Sequence, residues 1–136
     1  MICYAVIDTN VLVSALLSAK DDSATVQVLE KVLSGEIVPV FSTDITKEYR
    51  EVLGRKKFGF ADGTINYLLS AIEKFGILVN PSPSGVGLPD MKDLPFYEVV
   101  LEKKEDSAYL VTGNKKHFPL EPFIVTPREL LEIITR

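Results

Sequence analysis

The chain has 136 residues, room for one hydrophobic core and for no second domain of useful size. Apolar residues make up 46% and charged residues 25%, with 8 Gly and 8 Pro, which excludes whole-chain disorder and any collagen-like or low-complexity architecture. Fifteen Lys and Arg against nineteen Asp and Glu leave a net charge of −4, so no global positive field draws the protein to nucleic acid or membranes and any such contact must be local. The single cysteine, Cys3, can form neither an intrachain disulfide nor a Cys-rich zinc site; a small core residue in a reducing cytosol is the expectation. No secretion signal is expected, because Asp8 interrupts the first apolar run and no basic segment precedes it. The longest uncharged stretch, 75–89, is broken by Pro and Gly and falls short of the ~20 apolar residues of a membrane helix.

In chain order, Ile2–Ile7 is a short apolar run rich in β-formers, as in a strand buried on both faces of a parallel sheet. Thr9-Asn10 can cap a helix over Val11–Leu17, and Asp21-Asp22-Ser23 a second one carrying Val26, Leu29, Val32 and Leu33 up to Gly35. Ile37–Phe41 is the next strand, with Pro39 predicting an irregularity or an edge. Ser42 then starts a helix with Ile45, Tyr49, Val52 and Leu53 on one stripe, ending at Gly54 before Arg55-Lys56-Lys57. Asp62 is expected to cap the following helix, which carries Ile65, Leu68, Leu69 and Ile72 and closes at Gly76 before a strand at Ile77–Val79.

Asn80–Pro89 is too rich in Pro and Gly for a regular element and is expected as a flexible rim. Asp93 can cap a helix through Phe96, Val99, Val100 and Leu101, with Pro95 tolerated in its first turn. Ala108–Thr112 and Phe123–Val125 are strands separated by a turn at Gly113-Asn114. Thr126-Pro127-Arg128-Glu129 is a capping box that opens a last helix with Leu130, Leu131, Ile133 and Ile134. Strands alternating with helices predict a single three-layer α/β/α domain over 1–136 with a mainly parallel sheet.

Sites in such sheets form at the carboxyl ends of the strands, and Asp8 stands directly after the first one. At about 100° per residue, Glu48 lies roughly 85° from the centre of the Ile45/Tyr49/Val52/Leu53 stripe, at the border of the buried face. Asp93 lines up with Phe96, Tyr97, Val100 and Leu101 and so tops an apolar stripe. Three acids from separate elements therefore point inward, an arrangement that raises their pKa values and costs stability unless a cation or proton intervenes. Oxygen ligands without cysteine or a histidine pair favour Mg²⁺ or Mn²⁺ over Zn²⁺, which points to phosphodiester chemistry.

Ile7-Asp8-Thr9-Asn10-Val11-Leu12, Ser42 followed by Glu48-Tyr49, Asp93 followed by Phe96, and Tyr109-Leu110-Val111-Thr112-Gly113-Asn114 together resemble the PIN domain. The resemblance is nearest to the bacterial and archaeal branch of VapC-like ribonucleases, the toxin components of toxin–antitoxin systems. It implies a cytoplasmic, metal-dependent endoribonuclease, often a homodimer held inactive by a protein antitoxin. Asp8, Glu48 and Asp93 then take the positions of the acidic metal ligands, and one or two Mg²⁺ or Mn²⁺ ions activate water for attack on the RNA phosphate. Many relatives carry a further Asp where this chain has Asn114; Asp90 is a candidate outer acid to compensate, with a solvated surface residue in the loop after Pro89 as the alternative.

Asn10, Ser42, Thr112 and Asn114 are candidates for orienting carboxylates or water, with ordinary capping and turn roles as the alternative. Arg55, Lys56, Lys57, Lys115 and Lys116 are the candidates for RNA phosphates, against plain solvated surface charge. His117, the only histidine, is expected at the surface beside those lysines. Tyr49 and Tyr97 are expected as core aromatics. Two other functions compete: a catalytically silent PIN-like module that binds RNA or protein, and a phosphatase of the haloacid-dehalogenase type. The second would need an Asp where Asn10 stands.

Overall fold

The computed structural model describes residues 2–135, so both ends of the expected 1–136 domain, Met1 and Arg136, lie outside the described residues. In chain order the elements are β1 (Cys3–Ile7), α1 (Thr9–Leu17), α2 (Ala24–Ser34), β2 (Ile37–Phe41), α3 (Thr43–Leu53) and α4 (Asp62–Phe75). They continue with β3 (Ile77–Leu78), α5 (Leu94–Glu102), β4 (Tyr109–Val111), β5 (Ile124–Val125) and α6 (Pro127–Ile134). Single 3₁₀ turns at Met91–Asp93, Lys104–Asp106 and Lys115–His117 fill the connections around α5 and β4.

The five strands form one sheet in the order β3-β2-β1-β4-β5, and every neighbouring pair is parallel. Parallel pairing requires crossovers, and the helices supply them while covering the sheet. The apolar run that predicted β1 puts that strand at the centre, with Ala5, Val6 and Ile7 buried between two neighbours. From β1 the chain builds outward through β2 to β3, then crosses back and adds β4 and β5 on the other side. The reversal puts the topological switch point at the carboxyl ends of β1 and β4, the place where open α/β sheets carry their sites.

Helix α5 packs across β1, β2 and β4, and α3 packs on α5; α2 and α6 lie against each other and complete the cover. The core is the expected set of stripe residues, among them Val28, Val32, Ile45, Tyr49, Leu53, Leu69, Ile72, Phe96, Val100 and Leu130. Cys3 is half-buried against it. No described helix is long and apolar enough to cross a membrane.

Several local expectations need correction. Pro39 sits in an interior strand, opposite Ala5 of β1. It is tolerated because the ladder with β3 begins only at Val40 opposite Ile77, so no partner strand faces the missing N–H. Helix α4 begins at Asp62 with Ala61 at its cap position and no side-chain cap, so Asp62 supplies charge to the first turn without capping it. Helix α1 starts at Thr9, two residues earlier than the periodicity suggests, and Asp8 takes the cap position with its carboxylate turned elsewhere. The rim of 80–89 has no regular structure, as expected, yet it is tied down: Ser82 N–H bonds Glu102 Oε1 at 2.9 Å and Ser84 N–H bonds Glu98 Oε2 at 2.6 Å. The caps from Ser23, Ser42 and Thr126 form as predicted, the last as a full capping box with Glu129.

Gly76 has a steric reason to be glycine. A Cβ there would meet Pro39 O at 2.4 Å, Ile72 O at 2.5 Å and the Phe41 ring at 2.9 Å, because the chain leaving α4 runs directly against β2. Gly76→Ala is expected to lower the unfolding free energy by about 1–3 kcal/mol in urea titrations. Gly63→Ala, whose Cβ would meet nothing within 4 Å inside α4, is expected to be neutral or stabilising by up to ~1 kcal/mol.

Candidate active site at the carboxyl edge of the sheet

Tyrosines aside, the buried polar residues among the described ones are Asp8, Thr9, Ser42 and Thr112. All four follow the carboxyl ends of strands: Asp8 and Thr9 after β1, Ser42 after β2 and Thr112 after β4. Burial of polar groups costs free energy unless they find partners, so their concentration on one edge marks where the fold departs from simple core packing.

Asp8 is held from three directions. Its N–H extends the ladder to Val111 O at 2.9 Å, its carbonyl accepts from Val11 N–H at 3.0 Å to start α1, and its Oδ2 accepts from Thr112 Oγ1 at 2.8 Å. Asn10, exposed at the first turn of α1, approaches the same Oδ2 through Nδ2 at 3.4 Å and receives Gly113 N–H on Oδ1 at 3.3 Å. Thr112 Oγ1 in turn accepts from Asn114 N–H at 3.0 Å. A lattice of short polar side chains thus joins the β1–α1 junction to the β4 turn.

Glu48 enters from α3, half-buried as its helical angle predicts. Two contacts fix it. Thr9 Oγ1 donates to Glu48 Oε2 at 2.5 Å, and the adjacent Tyr49 hydroxyl donates to Ile7 O at 2.5 Å, pinning α3 to the end of β1. Tyr49 is a core aromatic as expected, packed on Phe96 with ring centroids 6.1 Å apart, but its hydroxyl also sets the position of the acid beside it. Ser42, in contrast, spends its hydroxyl on the cap of α3, accepting from Ile45 N–H at 3.2 Å.

Asp93 stands at the cap position of α5 without making a cap bond, so its carboxylate is not consumed by the helix. Its Oδ2 is sealed from solvent and has no aligned hydrogen-bond donor. His117 Nδ1 comes within 3.2 Å of that oxygen, close enough for an ion pair but off the hydrogen-bond axis. His117 is therefore partly exposed, as expected, yet it belongs to the site and not to the general surface. Asn114 faces the same ring, with Nδ2 3.0 Å from His117 Nε2. Asp90 is exposed and accepts from Lys92 N–H at 3.0 Å, capping the 3₁₀ turn that leads into Asp93.

The acids feel one another. The Asp8 carboxyl is pushed up to about 6, first by burial and further by Asp93 and Glu48, with the Thr112 hydrogen bond opposing. Glu48 is raised by burial and by Asp93, and Asp93 by burial and by Asp90. Among the described residues no three His, Cys, Asp or Glu side chains gather as a ready-made ligand cage. The chemistry of the donor set is nevertheless that of a hard divalent cation: carboxylate oxygens on three elements, one of them buried without an aligned donor.

The basic candidates divide. Lys115 is paired with Glu129 at 3.1 Å and Arg55 with Glu51 at 2.9 Å, so both charges are partly spent. Lys56, Lys57 and Lys116 are exposed. The Arg55–Lys57 turn follows the last residues of α3, roughly 16 Å along the helix from its start at Ser42. Thr9, the Tyr49 hydroxyl and His117 are the site residues that helical periodicity misses; the signal for Thr9 was its place beside Asp8, and nothing local marked the other two.

No curated protein and no solved structure matched the chain. A sequence profile described as the PIN domain matches residues 4–116, from the second residue of β1 to the turn after β4, and covers every element that carries the acids. The chain belongs to the PIN domain family, a nuclease-type fold.

Proposed function

We propose that the protein is a Mg²⁺- or Mn²⁺-dependent endoribonuclease whose metal ligands are Asp8, Glu48 and Asp93. PIN domains generally use divalent metal ions. The observation that carries the reading is Asp8: a buried carboxylate at the topological switch point, raised to about 6 by its surroundings and by two further acids, is a destabilising arrangement that a divalent cation relieves. When bound, such an ion supplies charge neutralisation at the scissile phosphate and activation of an attacking water.

The chain's own residues do the rest. Thr112 and Asn10 hold Asp8 in one orientation through Oδ2, and Thr9 holds Glu48 through Oε2, so the carboxylates are fixed before substrate arrives. Lys116, exposed on the turn after β4, supplies a phosphate contact beside the acidic edge. The phosphatase alternative lacks support, because Asn10 carries an amide that approaches Asp8 and cannot act as a general acid. The role as toxin of a toxin–antitoxin pair, a cytoplasmic homodimer restrained by a protein antitoxin, extends the same proposal.

Purified protein is expected to cleave end-labelled RNA with Mg²⁺ or Mn²⁺ and to stop when the metal is chelated. Asp8→Asn and Asp93→Asn should each reduce the rate at least ~100-fold, as expected when a metal ligand loses its charge. Equal cleavage by all three proteins would expose a contaminant, and metal-independent RNA binding without cleavage would favour the silent module.

Stability gives a second, activity-free test. In metal-free protein Asp8 binds its proton more tightly folded than unfolded, so its own contribution to stability is fully present below about pH 4 and is lost as pH rises through about 6. Asp8→Asn is expected to flatten that fall in urea unfolding curves and to exceed wild-type stability above pH 6 by about 1–3 kcal/mol. Added Mn²⁺ should raise the melting temperature of the wild type and leave that of Asp8→Asn unchanged.

A further inference from the structure

The turn after β4 poses a chemical question. Asn114 begins the turn that follows β4, and its amide lies 3.0 Å from His117 Nε2. The opposite ring nitrogen, Nδ1, is 3.2 Å from Asp93 Oδ2, an oxygen sealed from solvent. Three side chains thus form a row, Asn114 to His117 to Asp93, that ends on a carboxylate at the α5 cap position.

The row can carry a direction: an Asn114 amide that donates to Nε2 leaves the ring proton on Nδ1, the nitrogen that faces Asp93. An Asp at position 114 would offer Nε2 an acceptor and lose that preference. His117 is anchored for the task by its own short helix, since its N–H bonds Asn114 O at 3.2 Å and the following Phe118 is buried against Tyr97. Asp93 has no competing partner: it makes no cap bond to α5, and no aligned donor reaches Oδ2.

We propose that His117 is a positioning residue for Asp93, holding Oδ2 so that the other carboxylate oxygen is presented to the divalent ion, and that Asn114 acts through it by fixing the ring. The inference rests on the metal-nuclease reading above and adds a residue to it. The two groups stand 3.2 Å apart without an aligned hydrogen bond, and the sealed position of Oδ2 leaves the imidazole as the group that faces it. The partial exposure of the imidazole, 43% of its side chain, means that replacing it leaves the core intact.

The test is Mn²⁺ binding to the full chain by isothermal titration calorimetry, with RNA cleavage run in parallel and circular dichroism confirming the fold. His117→Ala is expected to weaken Mn²⁺ binding about 10–100-fold and to lower kcat with little change in KM for RNA, whereas His117→Asn, whose amide can donate from near the Nδ1 position, recovers most of both. Asn114→Ala should weaken binding less, and should add nothing when His117 is already Ala. Wild-type affinity in His117→Ala, in a protein whose Mn²⁺ binding is abolished by Asp8→Asn, would overturn the role of His117 and leave the metal nuclease standing. No Mn²⁺ binding by the wild type, or binding indifferent to Asp8→Asn, would overturn both.

Discussion

The arrangement depends on one buried carboxylate. Asp8 is simultaneously the last link of the β1–β4 ladder, the residue whose carbonyl starts α1, and the acid whose side chain Thr112 holds. Its backbone could not be elsewhere without breaking the central strand pair, so its side chain is delivered to the carboxyl edge by the sheet itself. That is why burial can push its carboxyl up to about 6 without the side chain escaping to solvent. The energetic penalty is carried by the core behind it, where Ala5, Val6 and Ile7 are packed between β2 and β4 and covered by α5.

The other two acids are brought to Asp8 by contacts of different kinds. Glu48 is placed by its neighbour: Tyr49 drops its ring into the core against Phe96 and its hydroxyl onto Ile7 O, which leaves Glu48 on the adjoining flank within reach of Thr9. Asp93 is placed by the 3₁₀ turn that precedes α5, with Asp90 capping that turn so that Asp93 need not. Loop, helix and strand each contribute one carboxylate, and the repulsion among them is offset by the packing of elements that carry no charge. In a protein of net charge −4, an acidic edge of this kind can receive a phosphate only through cations. Lys56, Lys57 and Lys116 are exposed, while Arg55 and Lys115 are engaged with Glu51 and Glu129.

The sequence made Asp8 legible because an apolar strand ending in an acid has few structural explanations, and Glu48 legible because helical geometry turns residue number into angle. The same logic reached the parallel sheet and nearly every core residue. It failed where the deciding contact was long-range. Pro39 argues for an edge only if its strand is paired along its full length, and β3 is two residues long. His117 and Asp93 are 24 residues apart, and no local pattern announces that a lysine-flanked histidine folds back over a helix cap. Asp62 resembles a cap as much as Ser23 does, but the backbone enters α4 one residue earlier.

The polar turn after β4 extends this argument. A missing acid at position 114 looks, in one dimension, like the loss of a ligand. In three dimensions Asn114 has acquired a partner, and the histidine three residues on has been drawn over Asp93. A carboxylate there would add a further negative charge to an edge where Asp93 already raises both Asp8 and Glu48, whereas an amide and an imidazole add donors to an edge crowded with acceptors.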